Sequence, residues 1–170
     1  MGLLRNRDDS GSGAVRFQMR EKLVSVGDDS WIDDADGRHV FKANGKAARV
    51  RDTFILEDTR GNQVAKIQER KLHVKDTMTI DLGGRSATVK KALVGIRDRF
   101  HVDVDGADDL KIHGNVVDHE YEIEQSGTTI ATVSKKWFRV RDTYGVEVDP
   151  NADVALVLAV TVAIDDMSHG

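Results

Sequence analysis

From Val15 onward, apolar and β-branched residues alternate with polar ones at a period of two, and short turn sequences interrupt the alternation. Thr53-Phe54-Ile55-Leu56-Glu57 and Val64-Ala65-Lys66-Ile67 flank Gly61-Asn62, and Glu120 to Glu124 and Thr129 to Val133 flank Ser126-Gly127. Alternating runs on either side of a glycine-containing turn predict β-hairpins. Asp36-Gly37, Asn44-Gly45, Gly83-Gly84 and Asp105-Gly106 punctuate the chain in the same way, and helical periodicity is scarce before residue 150.

The alternation carries an internal repeat. An aspartate followed two residues later by a large apolar side chain recurs at Asp29-Ser30-Trp31, Asp52-Thr53-Phe54, Asp76-Thr77-Met78, Asp98-Arg99-Phe100 and Asp142-Thr143-Tyr144, with a variant from Asp118 to Tyr121. The spacing suits two short strands and two turns per unit, so six units imply about a dozen strands. A dozen antiparallel strands remove their edges by closing into a barrel.

Ala152 to Ile164 breaks the pattern, because it is apolar on all sides between Pro150-Asn151 and Asp165-Asp166. Thirteen residues are too few to span a bilayer, which takes about twenty in a helix. A buried helix at about 152–164 accounts for apolarity on every face, with a buried valine-rich strand as the competing assignment. The expected architecture is mainly β: a closed or nearly closed twelve-stranded antiparallel barrel around a central hydrophobic C-terminal helix. Met1 to Gly13, small and charged, reads as a flexible tail without an apolar signal segment, leaving 14–170 as one domain. Asn6 stands where a myristoylation signal would place Ser or Thr.

Composition supports a sheet. The chain of 170 residues has one Pro, 15 Gly and no Cys. Proline is excluded from ladders, and the absence of cysteine removes disulfides and thiolate chemistry and fits a reducing cytoplasm. A net charge of -4 makes the chain as a whole no attractor of nucleic acid or anionic membrane, so such affinity must be local.

Gly114-Asn115-Val116-Val117-Asp118-His119-Glu120-Tyr121-Glu122-Ile123, Ala131 to Phe138 with Ser134-Lys135-Lys136-Trp137, and Arg141-Asp142-Thr143-Tyr144-Gly145-Val146 closely resemble the LURP-one-related family. Lys22-Leu23, Gly27-Asp28-Asp29 and Asp36-Gly37 extend the likeness over nearly all of residues 15–167. The family is similar to tubby C-terminal domains and phospholipid scramblases. The resemblance implies the same barrel with its central helix, relatives that handle phosphoinositides or phospholipids, plant members linked to defence, and no catalytic residues or cofactor.

Basic residues recur with the strand units: Lys46, Arg49 and Arg51; Arg70, Lys71 and Lys75; Lys90, Lys91, Arg97 and Arg99; Lys135, Lys136, Arg139 and Arg141. On one rim they would form a cationic surface for phosphate groups, with Trp137 and Phe138 adding an interfacial or stacking contact. We take Lys90, Lys91, Lys135, Lys136, Trp137, Arg139 and Arg141 as candidate ligand-binding residues. The partner would be an anionic lipid or other phosphate-bearing ligand, with nucleic acid or protein as alternatives. The protein would be cytoplasmic and, with a lipid partner, peripheral to the membrane. The same pattern suits solvated charges that guard strand edges, with Trp137 in the core.

The repeated Asp is read as turn chemistry, its carboxylate accepting backbone N–H bonds beside a balancing cation. Asp103 to Asp109 resembles a calcium loop, but His101 and Ile112 stand where an EF-hand needs oxygen ligands. Asp33 to Gly37 reads as a hairpin tip. No His-x-His, His-Glu-x-x-His, Gly-x-Ser-x-Gly or phosphate-loop pattern occurs, so neither a metal site nor a common enzyme class is predicted.

Overall fold

The computed structural model describes residues 13–21, 29–44, 53–70, 77–94, 97–138 and 141–169. Its strands are β1 (Val15–Arg20), β2 (Ser30–Asp34), β3 (His39–Asn44), β4 (Thr53–Asp58), β5 (Gln63–Glu69), β6 (Thr77–Asp81), β7 (Ser86–Val94), β8 (Arg97–Val104), β9 (Leu110–Asn115), β10 (Glu120–Gln125), β11 (Thr128–Ser134) and β12 (Thr143–Val148), followed by α1 (Val154–His169). Each strand pairs antiparallel with its sequence neighbours, and β1 pairs with β12 as well as β2, so the sheet closes into the expected barrel.

Alternation decides which side chains fill it. Phe17 and Met19, Leu56, Ala65 and Ile67, Ile80, Val89, Val102, Ile123, Val133, Val146 and Val148 are all buried and face the lumen. The repeat residues Phe54, Met78, Phe100, Tyr121 and Tyr144 join them. Trp31 departs from this pattern: Ile32 takes the inward position on β2, while Trp31 is 37% exposed and stacks on His39, with ring centres 4.5 Å apart.

A twelve-stranded barrel is too wide for wall side chains alone to fill. Helix α1 fills it, and Leu156 to Val160 and Val162 to Ile164 are buried on all sides. The competing strand assignment fails because the closed sheet offers no edge to pair with, whereas a helix satisfies its backbone internally. Asp153 caps the helix start, its Oδ1 accepting Leu156 N–H at 3.2 Å. The helix starts at Val154 rather than 152. It continues past the expected end at 164 because Asp165 is paired inside the barrel instead of terminating the helix in solvent.

The alternating strand direction gives the barrel two unlike ends. At the turn end, the hairpins at 35–38, 59–62, 82–85, 105–109 and 126–127 are short, and the connection 149–153 leads into α1. At the loop end, the connections include 21–29, 45–52, 70–76 and 135–142. The aspartates that accept turn N–H bonds form a second series, at the turn end. Asp34 Oδ1 takes Asp36 and Arg38 N–H at 2.9 Å, and Asp58 Oδ1 takes Arg60 and Asn62 N–H at 2.9 Å. Asp81 and Asp149 act alike on Gly83 and Asn151. The described members of the repeated Asp series stand at the loop end instead, where Asp118 accepts from the Asn115 side-chain amide at 2.7 Å and Asp142 lies 3.8 Å from Arg141. Asp52 and Asp76 lie outside the described residues.

Candidate functional site

The loop end is organised around the segment after β11. Glu120 Oε1, at the head of β10, accepts the Ser134 hydroxyl at 3.0 Å and the Lys135 N–H at 3.1 Å, and Ser134 Oγ in turn accepts Lys136 N–H at 3.1 Å. These bonds turn the chain back over the outside of the barrel. Trp137 and Phe138 then lie against Gly145 of β12, so closely that a Cβ there would stand 2.6 Å from Trp137 Cε3 and 2.8 Å from Phe138 Cε2. Glycine in the middle of this strand leaves room for two aromatic rings to pack on it. The Arg16 guanidinium covers the other side of Trp137, 4.9 Å from the ring centre, and is held by Glu147 at 2.7 Å. Trp137 is therefore half-buried on the outer wall, neither in the core nor freely exposed.

The cations on this segment differ in their partners. Lys135 pairs with Glu21, whose hydrogen bond raises the ammonium pKa. Lys136 is exposed, and the Arg141 side chain is 94% exposed beside Asp142, which holds a left-handed φ of 58°. Arg139, Lys46, Arg49, Arg51, Lys71 and Lys75 lie outside the described residues. Arg70 and Arg99 are exposed.

Lys90 and Lys91 do not join this group. Strand β7 is four positions around the barrel from β11, and consecutive residues point to opposite faces. Lys90 pairs with Asp103 on the outer wall. Lys91 donates to the Met167 carbonyl at 2.9 Å, placing a positive charge at the negative end of the α1 dipole.

Beneath the loop end lies a buried polar cluster that the sequence reading missed. His119, 3% exposed and with a left-handed φ of 53°, bonds through Nε2 to Asp165 Oδ1 at 2.7 Å. Its ring stacks on Tyr144, with centres 4.3 Å apart, and Glu21 lies 3.7 Å from Nδ1. Tyr121 bonds Thr161, one turn before Asp165 on α1, and burial raises the pKa of both Tyr121 and Tyr144. His119 and Asp165 are 46 residues apart, so no local motif announces the pair. Gly145 did carry a local signal, a glycine inside a strand pattern.

The loop Asp103 to Asp109 is the β8–β9 turn, flanked by strands, and is not an EF-hand. Asp33 to Gly37 forms the expected hairpin tip between β2 and β3.

Residues 15–165 match the LURP-one-related family, which covers the barrel and α1 as far as Asp165. The chain belongs to the LURP-one-related family. It is not a known enzyme family. Among solved structures, the X-ray structure of the Arabidopsis thaliana protein AT5G01750 is similar, with a TM-score of 0.68 and 20% identity over 92% of each chain. At that identity the likeness speaks to fold alone. No curated protein matches. In this LURP-one-related domain, the family-like run Ser134 to Phe138 and its partner around Gly145 fold onto each other as one outer clamp. Among the described residues, no helix is long and apolar enough to cross a membrane.

Proposed function

We propose that this LURP-one-related domain is a non-enzymatic binding module whose loop end takes an anionic, phosphate-bearing ligand, with a phospholipid head group as the leading case. The observation that carries this reading is the alternating direction of twelve strands around a closed sheet. It brings the ends of β1, β3, β5, β7, β9 and β11 to one rim, and the recurrent basic groups follow or adjoin strand ends on that rim. A feature spread along the sequence would thereby gather at one end of a barrel.

Lys136, Arg141 and, by sequence position, Arg139 would meet phosphate first, Arg by its bidentate fork and Lys as a point charge. Lys135 would have to exchange Glu21 for the ligand. Trp137 is held by Arg16 and Gly145, so its part is to brace the segment that carries these cations. The module would work in the cytoplasm, peripheral to a membrane with an anionic surface.

Flotation with phosphatidylcholine vesicles, with and without phosphatidylserine or a phosphoinositide, tests the reading. Binding should require anionic lipid and fade as salt rises. Each surface cation contributes about 1 kcal/mol near such a membrane, so Lys136→Gln with Arg141→Gln should weaken binding roughly thirtyfold. Equal absence of binding to neutral and anionic vesicles at low salt would remove the lipid reading. Salt-sensitive retention of a labelled oligonucleotide, lost in the same variant, would redirect it to nucleic acid.

A further inference from the structure

Away from the loop-end segment, on the outer wall formed by β8 and the β8–β9 turn, three potential metal ligands converge. His101 and Asp103 are alternate residues on the outward face of β8, and Asp109 closes the turn just before β9. His101 Nε2 lies 3.0 Å from Asp103 Oδ1 and 3.2 Å from Asp109 Oδ2, and one ligand atom from each residue falls within 4.8 Å of the others. Ligands sharing a tetrahedral zinc ion at ordinary Zn–N and Zn–O lengths stand about 3.3–3.6 Å apart. A few tenths of an ångström of opening would admit an ion.

Each carboxylate is also held from behind. Asp103 turns its second oxygen to the Lys90 ammonium, and Asp109 Oδ1 accepts the Val104 N–H at 3.3 Å. The free oxygens therefore point at the imidazole from fixed directions, the role that outer partners play at metal centres. All three side chains are 40–48% exposed. A cleft of about 280 Å³ opens on the far side of this trio, touching Asp109 and lined also by Asp108, Lys111, Glu124, Ser126 and Gly127.

We propose that His101, Asp103 and Asp109 form a surface site for a divalent first-row transition ion, of which Zn2+ is the reference. One imidazole nitrogen and two carboxylates suit such an ion, whereas calcium takes six to eight oxygen ligands and would find only two carboxylates here. The competing arrangement is His101 held between the two aspartates by direct contacts, without an ion.

Calorimetric titration of the untagged full chain with ZnCl2 at neutral pH separates the two. One equivalent should bind, His101→Ala and Asp109→Asn should each weaken binding at least about tenfold, and His113→Ala and His39→Ala should not. Those two histidines each face a single carboxylate, Glu124 and Asp33. In a parallel NMR experiment, Ni2+ should broaden the His101 ring resonances first. The ligand positions lie on the surface, and unchanged thermal midpoints would show that the variants fold. Absence of one-equivalent binding, binding that survives His101→Ala, or Ca2+ binding as tight as Zn2+ would overturn the proposal.

Discussion

Replacing Asp165 by Ala tests the buried polar cluster, and the sign of the effect carries the information. Asp165 lies in the last turns of α1, where a carboxylate opposes the helix dipole and Ala is the better helix former. Were the residue an ordinary helix-end aspartate in solvent, Asp165→Ala would stabilise the protein by about 0.5–1 kcal/mol. In the structure Asp165 is 6% exposed and faces His119, 3% exposed, at 2.7 Å. Removing one member of a buried pair of this kind costs about 3–5 kcal/mol, because the other is left desolvated. For a domain of this size, each kcal/mol moves the thermal midpoint by about 2–4 °C, so a fall of about 6–20 °C is expected. A double-mutant cycle with His119→Ala should show a coupling of about 1–3 kcal/mol, measured by urea unfolding followed by circular dichroism. An unchanged or raised midpoint for Asp165→Ala, or additive single mutants, would refute the pairing.

Gly145→Ala should force Trp137 and Phe138 off the outer wall, since carbon atoms pack at about 3.5–4.0 Å and the added Cβ starts 2.6 Å from the nearer ring. The expected cost is about 1–3 kcal/mol, with a red shift in Trp137 emission read in a Trp31→Phe background; unchanged emission and midpoint would contradict the clamp. The alkaline behaviour should be equally distinctive. The chain has two tyrosines, Tyr121 and Tyr144, and burial raises both above the ordinary value of 10.0. Above that value the unfolded chain loses phenolic protons that the folded barrel keeps, so these groups reduce stability as pH rises beyond about 10. Absorbance near 295 nm should stay low while the protein is folded and rise together with loss of the circular dichroism signal. Phenolate absorbance appearing near pH 10 in folded protein would show that the tyrosines are accessible.

The elements were legible for local reasons. Period-two alternation follows from strand geometry, glycine turns from positive φ, and an all-apolar run from the need for protein on every side. The end of α1 was misread because Asp165-Asp166 looks like a solvent boundary until the partner of Asp165 is known. The same limit explains the two aspartate series. Both occupy strand ends, and those at the turn end, Asp34, Asp58, Asp81 and Asp149, accept backbone N–H groups of their own turns. Trp31 shares its repeat position with Phe54, Met78, Phe100 and Tyr144, yet the register of β2 turns it outward while they are buried.

By itself, the sequence determined that this chain is a barrel of a dozen strands filled by its last helix, because alternation, turns and uniform apolarity are properties of neighbouring residues. The tertiary structure decided which charges are engaged. Lys90, Lys91 and Lys135 look alike in sequence, yet one meets Asp103, one the helix end and one Glu21. It also brought His119 to Asp165 and His101 to Asp103 and Asp109. The first of these pairs depends on barrel closure and strand register, which set distances between residues that the chain order holds apart, and the second on the strand face and turn that aim neighbouring side chains together.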